Sequence, residues 1–171
     1  MIEQTEADLS SSYLPILGSL RPFFVVAAGS SDATFNARDN AAGAVARIIL
    51  KNHTAVPLDQ ASWFTSSLPI FINCLILLQV LPILVGALPL RNDFIENKTV
   101  FASIFHLFRV TPGAISAFLD KLFPVFQYVL DPSSGDQIEE NTRAELLQLI
   151  SALNQQMPDR VAAAGLQRYL S

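Results

Sequence analysis

Asp39-Asn40 and Glu96-Asn97 are the two places where residue type and spacing combine into something that could bind. A carboxylate holds a lysine or arginine, and an asparagine amide pairs with an extended peptide backbone. A third acidic–Asn dipeptide, Glu140-Asn141, follows farther along. Helix capping and turn formation account for these residues equally well. Catalytic chemistry has less to draw on. The chain holds 2 histidines and 1 cysteine. His53 and His106 are far apart in sequence, and neither has the i, i+4 partner of a helical metal site. His106, beside Phe105 and Leu107, reads as an interfacial or surface imidazole. Cys74 has no neighbouring cation or histidine to lower its pKa. There is no Gly-rich phosphate loop and no G-x-S-x-G elbow, so no cofactor, metal or catalytic set is expected, and the chain does not read as an enzyme. The acidic group Asp136, Glu139, Glu140 and Glu145 is the strongest charge feature. It serves either as favourable charge at a helix N-terminus or as a contact for a basic partner.

Composition bounds these readings. Of 171 residues, 51% are hydrophobic and 15% charged, a core-rich balance, and the net charge is −4. Nothing clusters Lys and Arg as nucleic-acid phosphates require; a charged partner would be basic. A single cysteine excludes an internal disulfide framework and any multi-Cys zinc site. The first residues, MIEQTEADLSSSYLP, are acidic and lack the basic and apolar regions of a signal peptide.

The elements that must position these residues are helices. Ser11 to Phe24 reads as a short apolar helix carrying Pro15 and Pro22. Val25 to Asn36 is small and polar, a loop. Ala37 to Leu50 is a helix whose stripe of Ala41, Ala42, Val45, Ile48 and Ile49 is thin enough for close approach. Lys51-Asn52-His53 ends it. Past a polar connection at Arg91 to Asn97, the spacing predicts a helix over Lys98 to Phe108. A longer one is expected over Ala114 to Leu130, kinked at Pro124. Asp131-Pro132-Ser133-Ser134-Gly135 is a turn, and Thr142-Arg143-Ala144-Glu145 has the pattern of a capping box at a helix start. Pro158-Asp159 opens a last amphipathic helix. No segment alternates as a strand does, so the class is all-α.

These helices repeat. Leu14-Pro15-Ile16-Leu17 returns as Leu81-Pro82-Ile83-Leu84 and, more loosely, as Phe123-Pro124-Val125-Phe126. Each is followed by a polar turn and one of the acidic–Asn dipeptides, so the unit is a helix pair with a proline-bent first helix. Pro82 and Pro124 are about 42 residues apart, inside the roughly 40–47 of HEAT-type repeats. Pro15 and Pro82 are farther apart by an excess that removal of residues 61–79 would correct. That segment belongs to an uncharged run, Gln60 to Leu90, and holds the only Trp (Trp63) and the only Cys (Cys74). Ala61-Ser62 can be read from GCAAGT, Ile72-Asn73-Cys74 from ATTAACTGC and Gln79 from CAG. In that order they resemble the donor, branch point and acceptor of a translated intron. The rival readings are a genuine insertion or a membrane anchor over residues 66–90, which is long enough to span but interrupted by Pro69, Pro82 and Pro89.

ARDNAAGAVARIIL, VPLDQ and, beyond the interruption, VLPILVGALPL resemble the C-terminal HEAT repeats of the karyopherin-β (importin-β) nuclear import receptors, in the branch that imports ribosomal proteins and histones. The resemblance runs from about Tyr13 to Leu170. It implies an all-α HEAT-repeat α-solenoid of about three helix pairs, interrupted at 61–79. Family members are far longer, which implies that residues 1–171 correspond to a C-terminal stretch of such a solenoid. The implied function is protein transport through the nuclear pore by cargo binding, with shuttling between cytoplasm and nucleus. The implied partners are basic cargo bearing nuclear localisation signals, the small GTPase Ran (mainly through repeats absent here) and nuclear pore proteins. Asp39, Asn40, Glu96 and Asn97 are then the candidate cargo contacts. The alternatives from other classes are the membrane-anchored helical protein and a HEAT scaffold unrelated to transport.

Overall fold

The computed structural model describes residues 10–27, 29–56 and 80–170. The insertion expected over 61–79, with Trp63 and Cys74, lies outside the described residues. Within them the chain is helical: α1 (Ser10–Leu20), α2 (Asp32–Asn52), α3 (Val80–Gly86), α4 (Glu96–Val110), α5 (Pro112–Ser116), α6 (Leu119–Leu130), α7 (Glu140–Gln156) and α8 (Pro158–Ala163). The class is all-α, and among the described residues no helix is long and apolar enough to cross a membrane.

In chain order the helices fall into three successive pairs, α1 with α2, α3 with α4, and α5–α6 with α7. α2 packs along α4 and α4 along α7, while α3 meets α6. Second helices therefore form one layer and first helices the other, the HEAT-like arrangement. Each pair lends one apolar face to the next, which is how such arrays build a continuous core. Val45, Ala46 and Ile49 of α2 and Val100, Ile104 and Leu107 of α4 are all buried in it. Phe101 of α4 stands 6.2 Å from Phe126 of α6, ring centre to ring centre, joining the two layers. The described end of the uncharged run is part of this core. Leu81, Leu84 and Leu90 are each at most 1% exposed.

Several boundaries differ from the sequence expectation. α2 begins at Asp32, inside the stretch expected to be a loop, with Ser31 in extended conformation ahead of it and Asp32 in its first turn. A carboxylate there is favoured by the helix dipole. The helix expected over Ala114 to Leu130 is two helices, α5 and α6, separated at Ala117 and Phe118; Pro112 occupies the first turn of α5 and Pro124 sits inside α6. The interruption lies ahead of Pro124, the position expected to kink a single helix. α7 begins at Glu140 rather than Thr142, and no side chain caps it. Thr142, drawn inside the helix and 7% exposed, is a packing residue instead of a cap. The DPSSG turn forms as expected: Asp131 accepts from the Ser133 amide at 2.9 Å, and Gly135 has a φ of 74°, a left-handed backbone suited to glycine.

Candidate functional site

Asp39 lies on α2 with its side chain wholly inside the protein, 0% exposed. Its Oδ2 accepts from three successive backbone amides of the next helix pair, those of Arg91 (2.8 Å), Asn92 (2.8 Å) and Asp93 (3.1 Å). Its Oδ1 accepts from Arg38 Nη2 at 3.1 Å. A buried carboxylate is tolerated only when its charge and lone pairs are matched, and here both are. Asp39 thus seats the turn between α3 and α4 on the side of α2.

Glu96 opens α4 and leans back across α2. Arg47 Nη2 donates to its Oε1 at 3.0 Å and lies 2.9 Å from Oε2. The Oε2 contact is an ion pair by distance alone, because that oxygen lacks an aligned donor. The carboxylate occupies the space over Gly43, where any Cβ would collide with Glu96 Oε2 and Cδ. Gly43 is therefore needed for close approach of side chain to backbone, the use of glycine that a helix interior otherwise penalises.

Asn97 is 1% exposed. Its Nδ2 donates to the carbonyl of Gln137, in the connection ahead of α7, at 2.7 Å. The remaining side-chain acceptors of this pair, Asn97 Oδ1 and Gln137 Oε1, are buried without a donor among the described residues. Asn40 differs. It is exposed, and its Nδ2 donates to the Asn36 carbonyl (2.9 Å) and to Asp93 Oδ2 (3.1 Å).

The dipeptides that look equivalent in sequence are thus one residue out of register. Arg38 and Glu96 are each 9% exposed, and Asp39 and Asn97 are the fully buried residues that reach to the following pair. Arg38-Asp39 and Glu96-Asn97 are the equivalents, and Asn40 corresponds to the exposed Lys98. In the third pair both Glu140 and Asn141 are exposed. Of the four candidate contacts, Asp39, Glu96 and Asn97 are committed to joining helix pairs, and Asn40 faces outward. Arg38, Gly43, Arg47 and Gln137 complete the set; an arginine four residues after a helical glycine was the one local signal for them.

The structure also joins what is distant in sequence. His53, just after α2, and His106, within α4, meet with Nδ1 and Nε2 3.1 Å apart. Burial, then the charges of His53 and Arg109, hold the His106 imidazole below its ordinary range. The acidic group is partly paired on the surface: Glu139 with Lys98 at 3.1 Å, and Glu145 with Arg109 at 4.0 Å. Both couples link α7 or its approach to α4. Exposed pairs of this kind contribute little to stability.

No family profile matches the chain. It is 35% identical over 146 residues to a Schizosaccharomyces pombe protein described as a probable importin subunit beta-4. The match takes in 85% of the chain but only 11% of that protein. It spans helices in all three pairs, a breadth that a single shared motif would not produce. Paired helices in two layers and this sequence identity together place the chain in the karyopherin-β family, as the counterpart of one stretch of a much longer relative.

Proposed function

We infer that the chain is part of a nuclear import receptor and acts by binding rather than catalysis, taking up Lys- and Arg-rich segments of cargo proteins. The observation that carries this reading is the match to a probable importin across 85% of the chain. A net charge of −4 supports a basic partner. Ribosomal proteins and histones are the cargo class in view, with release by Ran, contacts to pore proteins and shuttling between cytoplasm and nucleus belonging to the longer receptor. Of the four candidates we take Asn40, exposed and beside the Asp93 carboxylate, as the one that touches cargo directly. Asp39, Glu96 and Asn97 act at one remove, by fixing the spacing of the helices.

The test is fluorescence anisotropy with a labelled Lys/Arg-rich peptide and an acidic peptide of equal length, at low and moderate salt. Binding of the basic peptide alone, weakening steeply as salt screens the charges, is the expected result. Equal binding of both peptides, or none, would sink the cargo reading.

A further inference from the structure

Among the described residues, the pair His53 and His106 is the one meeting of metal-binding side chains that neither the packing of the helices nor cargo binding uses. The two imidazoles come from different helix pairs, and both are half-buried, reachable from solvent. Their nitrogens are 3.1 Å apart, their ring centres 5.0 Å, and their planes cross at 67°. As a hydrogen bond this needs one N–H and one lone pair. Nitrogen ligands lie about 2.0–2.1 Å from zinc, so two on one ion are separated by about 2.9 Å at a right angle and about 3.4 Å at the tetrahedral angle. The observed separation falls between these limits, and a shift of a few tenths of an ångström reaches either.

We propose that His53 Nδ1 and His106 Nε2 form a two-nitrogen site for a borderline divalent metal ion, Zn²⁺ or Cu²⁺, that staples α2 to α4. Imidazole suits both ions, and Cu²⁺ is held more tightly at equal geometry. On binding, the bridging proton leaves the contact for the distal nitrogen of the ring that donated it (His106 Nδ1 if Nε2 donates, His53 Nε2 if Nδ1 donates). The other ring already carries its proton on its distal nitrogen, so each ring presents a lone pair and stays neutral. Water fills the other coordination positions. Arg109 brings a positive charge towards His106, partly offset by its pairing with Glu145, and that charge limits affinity. The site does not depend on the transport reading.

The test is calorimetric titration of the full chain with ZnCl₂ and, separately, CuCl₂ at pH 7.5. The chain has 2 histidines in all, so the substitutions are unambiguous. One ion per chain is expected, with His53→Gln and His106→Gln each weakening it at least tenfold, since even loss of an outer-shell partner costs about 10–100-fold. Cys74→Ser should leave binding unchanged. Helicity in EDTA checks that the variants fold. If either does not, the imidazole proton resonances of the unaltered chain supply the answer, because both must shift together on adding Zn²⁺. Undiminished binding in a folded histidine variant, loss on Cys74→Ser alone, a shift of one imidazole only, or no binding at all overturns the site.

Discussion

Asp39 and Asn92 are joined by a 2.8 Å hydrogen bond from the Asn92 amide to a carboxylate with no solvent exposure. The amides of Arg91 and Asp93 flank it on the same oxygen. Removing that carboxylate strands three donors and leaves Arg38 without its counter-charge. Asp39→Ala is expected to cost about 3–5 kcal/mol, the range for breaking a buried pair from one side. Asp39→Asn, which keeps one oxygen of similar placement, should cost less. Urea unfolding followed by circular dichroism measures both. A loss under about 1 kcal/mol for Asp39→Ala would mean that the turn is held by something else.

Gly43 gives a sharper test because two principles oppose each other there. In an ordinary helix interior Gly→Ala gains up to about 1 kcal/mol. Here the new Cβ would collide with the Glu96 carboxylate, which must then swing away from Arg47. Gly43→Ala should therefore destabilise, by about 1–3 kcal/mol, as overpacking does. With Glu96→Ala already in place, the same substitution should become neutral or stabilising. The sign change across this double-mutant cycle is the measurement. The same sign in both backgrounds would falsify the contact.

Asn40 and Asn97 look alike in sequence and are used oppositely. Asn97→Ala removes a 2.7 Å bond to the Gln137 carbonyl at a site 1% exposed, so a loss of about 1–3 kcal/mol is expected. Asn40→Ala changes an exposed residue and should stay within about 0.5 kcal/mol. Its effect belongs instead in the peptide titration, where weaker binding of a basic peptide is expected. Comparable stability losses for the two variants would restore the register in which they are equivalent.

The contrast between these asparagines also marks what was legible in the sequence. Helix class and the succession of helices follow from local periodicity and breakers, and the structure agrees; the prolines of the first helices sit inside helices, as with Pro15 and Pro124. Register between helices does not follow, because a one-residue slip on a helix turns a side chain by roughly 100° while leaving the dipeptide pattern intact. Thr142 shows the same limit: the capping-box spelling is present, but the helix starts two residues earlier and draws the threonine inside. His53 and His106 had no signal at all. Their meeting depends on how far α2 runs and on where α4 lies against it, quantities set by the packing of Ala42, Ala46 and Ile49.

Asp131 provides the pH test. The Ser133 amide and then its hydroxyl, aided by the Arg168 charge, hold its carboxyl below the ordinary value of 3.8. The folded chain therefore binds this proton less readily than the unfolded one. Linkage makes the corresponding stability fully present above about pH 4 and lost as pH falls through the folded pKa. Asp131→Asn keeps an oxygen for the Ser133 amide but removes the charge. Its urea midpoint should lie slightly below that of the parent at pH 7 and converge with it towards pH 2. Ser133→Ala removes only the hydroxyl bond, 2.7 Å long, so its difference from the parent should shrink over the same window but start smaller. A constant gap between parent and Asp131→Asn from pH 7 to pH 2 would show that charge on this carboxylate plays no part in holding the turn.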